Sequence, residues 1–362
     1  MKILFIAPLP PPITGHSLAS KVFYDSIESS NEVAVVNLTK GNFKEGADGV
    51  KRFFEIGRVL WQVTIKRKNV DLVYLTISES LAGNLKDIVI YLICFSKLQR
   101  TYIHLHGGSI KKLLFNRFMI LAKVNAFFIR RLAGVIVLGE SHIEIFDKFI
   151  PKEKIHIVSN SVEDSFFIDD LYLKSKFDNL STINILFLSN LINGKGYNEL
   201  LDAFVALNND ERMQFSLHFA GTFESEDHKN IFLEKIGGFG NIHYHGVVHG
   251  IQKRDLLKSA HLFCLPTSYF EGQPISILEA YASGCVVLCT VIGGIQDIFT
   301  DGQNGFKIKT KEPHEIQKAI RNSIRVKQKL QEIAFHNRSF AEERFRSTSY
   351  VNGMNNAMRL GQ

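Results

Sequence analysis

Short apolar runs rich in Val, Ile, Leu and Phe alternate with stretches of helical period along the whole chain, and midway the alternation starts afresh. The first series is ILFIAP, EVAVVNL, DLVYLTI, TYIHLHG, GVIVLG and KIHIVSN, with a helix predicted from about Leu18. A polar, poorly periodic segment from Glu163 to Ser181 interrupts it, and NILFLSN, QFSLHFAG, NIHYHGV, HLFCLP and VVLCT follow. Alternation of this kind predicts a parallel sheet with helices on both faces. A restart predicts two such sheets, because 362 residues exceed what one ordinary core supports. The expected class is α/β, two doubly wound, Rossmann-like domains facing a cleft, with ligands at the carboxyl ends of the strands.

Composition narrows the function classes. Hydrophobic residues at 45% and charged residues at 22% describe a folded globular chain. The start, MKILFIAPLPPP, has no small-residue cleavage site and runs into prolines, so it is expected to be a first strand and not a signal peptide. No apolar run is long enough for a membrane-spanning helix. Cys94, Cys264, Cys285 and Cys289 form no Cys-x-x-Cys pair and sit in hydrophobic runs, which predicts reduced core thiols in a cytoplasmic protein. No Asp-x-Asp and no His/Cys/carboxylate cluster has metal-ligand spacing, so metal-independent chemistry is expected.

The net charge of +7 is unevenly placed: between Asp87 and Glu140 there are eight Lys and Arg and no carboxylate. Within that region KKLLFNRFMILAKVNAFFIRRLA, Lys111 to Ala133, reads as one helix with Lys112, Asn116, Lys123 and Arg130 on a narrow face. Such a helix is either a core helix with one solvated stripe or lies on an anionic bilayer. The missing carboxylates favour an anionic membrane surface as partner. Nothing points to nucleic acid.

The segment YFEGQPISILEA carries two carboxylates, Glu271 and Glu279. Pro274 suits the first turn of a helix running to a Gly284 cap. Free N–H groups at Ile275 and Ser276 would then favour an anion such as a phosphate. By spacing alone Glu271 is equally readable as a carboxylate favoured by the helix dipole, and Glu279 as a solvated helix residue.

The run from Glu271 to Phe306, EGQPISILEAYASGCVVLCTVIGGIQDIFTDGQNGF, resembles the signature of the family 4 retaining glycosyltransferases, including its E-x7-E pair. PPPITGHS near the start, HLHGG from His104, SNLINGKGYNELLDAF from Ser189 and HGVV from His245 agree in order. The resemblance implies the GT-B fold, with residues 1–165 as an acceptor-binding domain and 166–345 as a nucleotide-sugar domain. Residues 346–362 would form a C-terminal helix crossing back to the first domain. It also implies roles: Glu271 and His106 catalytic, with Glu271 against the donor sugar, and Glu279 on the ribose. Lys195, Gly272, Gln273, Ile275, Ser276 and Gly15 would line the donor site. His16 would meet the acceptor, and His104 would sit behind His106. One departure is Asn190, where many relatives have an arginine, so a cationic phosphate contact is missing there. A second is Gln273, where many have a larger apolar residue, a candidate for tuning sugar choice.

The expected activity is retaining, metal-independent transfer of a hexosyl residue from a nucleoside diphosphate sugar, a UDP-sugar first, to a saccharide acceptor, with no cofactor. A polyprenyl-diphosphate-linked saccharide of cell-surface polysaccharide synthesis would fit, with the protein peripheral at the inner face of the cytoplasmic membrane. Two alternatives stay open: a GT-B nucleotide-sugar epimerase and a catalytically silent GT-B scaffold.

Overall fold

In the computed structural model, which describes residues 1–39, 49–178, 180–309 and 312–360, every ladder between named strands is parallel. The chain divides into two units. Unit 1 is Met1–Asn160, Phe270–Gln273 and Ser347–Gln362; unit 2 is Ser161–Tyr269 and Pro274–Arg346.

Unit 1 is built on β1 (Lys2–Ala7), β2 (Glu32–Asn37), β3 (Leu72–Thr76), β4 (Thr101–His104), β5 (Gly134–Val137) and β6 (Ile155–Ile157). Their order across the sheet is β2-β1-β3-β4-β5-β6. Strands β1, β3, β4 and β5 are buried almost throughout, as strands covered on both faces must be. Helices α1 (Gly15–Glu28), α2 (Gly49–Lys66), α3 (Leu81–Ile93), α4 (Met119–Ile129) and α5 (Ile143–Phe146) connect them. Two cores lie on opposite faces of the sheet. Val63, Tyr91 and Phe128 from α2, α3 and α4 pack with Leu4, Val73 and Val135 on one. Phe23 of α1 and Tyr350 and Met354 near the C-terminus pack with Phe5 and Tyr74 on the other.

Unit 2 holds β7 (Ile183–Leu188), β8 (Phe215–Ala220), β9 (Ile242–Tyr244), β10 (Leu262–Leu265), β11 (Val286–Thr290) and β12 (Gly305–Ile308). Their order is β12-β11-β10-β7-β8-β9. This is the dinucleotide-fold order, with the switch point between the adjacent strands β7 and β10. Its helices are α6 (Asp170–Phe177), α7 (Tyr197–Val205), α8 (Asn209–Arg212), α9 (Glu226–Ile236), α10 (Gly250–Ser259), α11 (Ile275–Ala282), α12 (Pro313–Arg325) and α13 (Lys327–Arg344). The last helix, α14 (Ser347–Met358), belongs to unit 1.

Three local expectations change. Helix α1 begins at Gly15, three residues before Leu18, because Thr14 and Ser17 close a reciprocal capping box around its first turn. Gly15 and His16 are therefore helical and not loop residues. The single helix expected from Lys111 is two pieces: a π-helical turn, Lys111–Phe115, and then α4, separated where Phe118 leaves helical backbone. No Pro or Gly marks that break in the sequence. Finally, β12 was not foreseen; its GFKI has only a half-buried outer face. The four cysteines are buried free thiols, and burial pushes Cys94 up to about 11.

Candidate functional site

In unit 1 the functional groups gather around the switch between β1 and β3, where chain direction across the sheet reverses. Loops leaving these two strands line a cavity of about 450 Å³ whose walls include Thr14, His16, Glu79, Lys86 and His106. Past the end of β4 the chain runs Leu105-His106-Gly107-Gly108, so His106 lies just beyond the strand. Its imidazole is sandwiched: the His16 ring stacks at 4.2 Å and 29° on one side, and the His104 ring lies at 3.9 Å and 35° on the other. His104 in turn shares a 2.8 Å hydrogen bond between its Nδ1 and the Tyr74 hydroxyl.

Burial lowers all three histidines, His16 to about 4 and His104 to about 3, and takes His106 well below its ordinary value, reinforced by its two stacked neighbours. They are neutral rings at neutral pH. Both ring nitrogens of His106 are buried and find no hydrogen-bond partner among the described residues. A neutral imidazole offers one donor and one acceptor, so His106 can still serve a ligand hydroxyl in both senses.

The segment Phe270–Gln273 is part of this unit and crosses the His106 loop at two glycines. A Cβ on Gly272 would fall 2.0 Å from the His106 carbonyl oxygen, and one on Gly108 would fall 2.4 Å from the Glu271 carbonyl oxygen. Neither position tolerates a side chain without shifting backbone. Ser109 Oγ donates to the Phe270 carbonyl at 3.2 Å. Gln273 is buried, and its polar groups are engaged: Oε1 accepts from the Asn160 amide at 2.6 Å, and the Asn160 side chain donates to the Gln273 carbonyl at 2.9 Å. Gln273 therefore anchors this segment, and Glu271 is held, half-buried, between two fixed glycine crossings.

Glu79 has no precedent in the sequence reading. Its carboxylate accepts from the amides of Ser109 and Ile110, pinning the Gly107-Gly108 turn from below. Burial raises its pKa, and the Glu271 charge adds to that against the two amide bonds. The only sequence signal was a carboxylate directly after β3, in Ser78-Glu79-Ser80.

In unit 2 the predicted residues cluster at the other switch point. The loop after β7 carries exposed Asn190, then Gly194 and Gly196 at φ +89° and +87°, bracketing Lys195. The loop after β10 clasps it: the Ser268 amide donates to the Gly194 carbonyl at 2.7 Å and the Tyr269 hydroxyl to the Asn193 carbonyl at 2.8 Å. Lys195 Nζ stands 5.5 Å from the centre of the Tyr269 ring. Helix α11 then starts directly after Pro274. The amides of Ile275 and Ser276, its first two residues, have no carbonyl partner among the described residues, as first-turn amides lack one within the helix.

Glu279 is not a solvated helix residue. It is 3% exposed, and Lys253 of α10 reaches its Oε1 at 2.6 Å. Burial raises its pKa, with the Lys253 charge opposing. The other oxygen, Oε2, is buried with no hydrogen-bond partner among the described residues. A buried carboxylate half satisfied in this way is costly unless something donates to it. Lys253 was missed because one lysine in a polar helix has no signal. Lys176 was missed for the same reason. It is buried and donates to the Ser283 carbonyl at 2.8 Å, tying down the carboxyl end of α11.

Among the described residues no three His, Cys, Asp or Glu are grouped to hold a metal ion, and no helix is long and apolar enough to cross a membrane.

The curated relatives include an uncharacterised glycosyltransferase of Methanocaldococcus jannaschii, 27% identical over 186 residues, 49% of this chain and 46% of that protein. A putative teichuronic acid biosynthesis glycosyltransferase of Bacillus subtilis, TuaC, is 41% identical over 75 residues, 21% of this chain and 19% of that protein. The chain thus spans about half the length, or less, of the curated relatives it matches. Among solved structures, Alr3699/HepE of Anabaena in complex with UDP and glucose superposes with a TM-score of 0.75 at 17% identity, covering 99% of both chains. WaaG, a glycosyltransferase involved in lipopolysaccharide biosynthesis, does so at 0.70 and 16%, again covering 99% of both. Residues 173–338, which contain α11, Glu279 and Lys195, match the family model described as Glycosyl transferases group 1. That segment is similar to the group 1 glycosyltransferases, and the fold of the chain is the GT-B fold of these solved structures.

Proposed function

We propose that the protein is a retaining hexosyltransferase that uses a nucleoside diphosphate sugar, a UDP-sugar first among them, without a metal ion. The observation that carries this reading is Glu279. Its Oε2 is buried with no partner, four residues along a helix whose first amides have none either. A ribose hydroxyl would satisfy the carboxylate, and a diphosphate would take the amides of Ile275 and Ser276. Lys195 adds a point charge to the phosphates. With Asn190 in place of an arginine, the clamp relies on these groups.

Transfer breaks the bond from the anomeric carbon to the diphosphate oxygen and makes one to an acceptor hydroxyl on the same face. Charge grows on the departing diphosphate, where the helix amides and Lys195 would stabilise it. Glu271 carries the charge suited to an oxocarbenium-like centre. His106, neutral and supported by His16 and His104, would hold a sugar hydroxyl. Gly15, exposed at the start of α1, would let ligand and backbone approach closely, and Gly272, packed on the His106 carbonyl, would hold Glu271 beside the His106 loop. His16 lines the unit 1 cavity, which suits an acceptor saccharide. What TuaC and WaaG are named for supports a role in cell-surface polysaccharide synthesis; on this reading the acceptor would be lipid-linked and met at the cytoplasmic face of the membrane.

The test is donor turnover. UDP- and GDP-sugars are supplied with a panel of glycan acceptors, nucleoside diphosphate release is followed, and the product anomer is read by NMR. Retained configuration with UDP release is expected, and Glu271→Ala should abolish it in a folded protein. An interconverted sugar nucleotide without acceptor would identify an epimerase, and no turnover with any donor would identify a scaffold.

A further inference from the structure

Helices α2, α3 and α4 pack side by side over one face of the unit 1 sheet. Their inward residues form the core, so their outward faces should be polar if water covers them. They are not. On α2, Phe54, Trp61 and Ile65 recur at helical spacing on the exposed side, with Phe53 beside them at 76% exposure. On α3 the exposed stripe is Leu81, Leu85, Val89 and Leu92, continued by Phe95. On α4 it is Met119, Ile120 at 80% exposure, and Phe127, which stacks on Phe95 at 6.5 Å. Three adjacent helices thus present apolar stripes outward, where scattered single residues would be ordinary.

The charges on the same surface select the occupant. Exposed Arg58, Lys123 and Arg130 lie along these stripes, and Arg100, Lys112 and Arg117 border them. Only α2 contributes an exposed carboxylate, Glu55; the one acid of α3, Asp87, is buried beneath Lys86, and α4 has none. A second copy of this chain would set these cations against themselves with a single glutamate to answer them. Anionic headgroups above an apolar interior would answer both the cations and the stripes.

We propose that the outer face of α2, α3 and α4 docks unit 1 on an anionic lipid bilayer, with Trp61, Phe54 and Ile120 entering the headgroup boundary. This rests on the proposed transfer to a membrane-borne acceptor only for its purpose, because the surface is argued from exposure and charge. It also reassigns the basic segment: the membrane face spans three helices, and the stretch from Lys111 contributes one third of it.

Trp61, the only tryptophan of the chain, is the reporter. Full-length protein is mixed with phosphatidylglycerol-containing vesicles and with pure phosphatidylcholine vesicles. Expected are flotation with the anionic vesicles alone, weakened by salt, and a blue shift of Trp61 emission on binding. Ile120→Glu and Phe54→Glu, both at exposed positions, should each weaken partitioning by about tenfold or more while leaving turnover of a water-soluble acceptor unchanged. Absence of flotation, or flotation with Trp61 emission unmoved, overturns the proposal. So does a dimer in solution that Ile120→Glu dissociates. Vesicle binding without transfer to any acceptor would defeat the transferase reading and leave the surface standing.

Discussion

Replacing His104 by phenylalanine isolates the consequence of stacking neutral histidines in a buried column. The phenyl ring keeps a flat surface against His106 and removes one titrating group. A histidine whose folded pKa lies below its unfolded value binds fewer protons in the native state. Its contribution is therefore intact above the unfolded pKa and is lost as pH falls, until the folded pKa is passed. With folded values of about 3 for His104 and about 4 for His16 against 6.5 unfolded, moving from pH 7 to pH 5 removes about 1.8 kcal/mol per ring, about 3.6 kcal/mol for the pair. That is a large part of the roughly 5–15 kcal/mol that holds an ordinary domain together. The variant leaves the Tyr74 hydroxyl without its hydrogen-bond partner, a cost that is the same at both pH values and cancels in the difference. Amide hydrogen exchange in β1, β3 and β4, corrected for the intrinsic pH dependence of exchange, measures the opening free energy of unit 1. The wild type should lose about 1.8 kcal/mol more than His104→Phe between the two pH values. Losses equal to within about 0.5 kcal/mol would refute the claim that His104 is held neutral by burial.

Two further substitutions probe the loops. Lys195→Ala should weaken UDP binding by about 1.5–3 kcal/mol, the range of a charge-assisted hydrogen bond, and unchanged affinity by calorimetry would remove Lys195 from the clamp. Gly272→Ala must push the His106 loop away, since its Cβ would stand 2.0 Å from the His106 carbonyl; kcat should fall while UDP affinity holds, because the proposed phosphate and ribose contacts lie in unit 2. An active Gly272→Ala enzyme would show that the crossing is loose.

What was readable in the sequence followed from short-range physics. Eleven of the strands sit where apolar runs alternate with helical period, and those buried throughout, such as β3, β5 and β11, are apolar because both of their faces are covered. The start of α11 was legible from Pro274, and its end from Gly284, which has φ +62° and lies against Leu173 with no room for a side chain. The groups that complete the candidate site were not legible, because each acts across a long span of chain. Lys253 meets Glu279 from a neighbouring helix, Glu79 reaches the amide of Ser109, and His16 stacks on His106 from the first turn of α1. None of these pairs has a periodicity. Gln273 shows the same limit. Its position next to Glu271 invited a role in sugar choice, whereas its amide is engaged with Asn160 and the Leu138 carbonyl.

The membership of α14 in unit 1 bears on how the protein emerges from the ribosome. Residues up to Asn160 can form their sheet early, yet Tyr350, Met354 and Met358, which cover one side of it, are made only after residues 161–346. The intervening residues 161–346 take about 10–40 s to make at ordinary translation rates. Throughout that interval Phe5, Phe23 and Tyr74 keep part of their apolar surface open to water, to chaperones and to other nascent chains. Unit 1 is thus born incomplete and is closed only when α14 has followed unit 2 out of the exit tunnel.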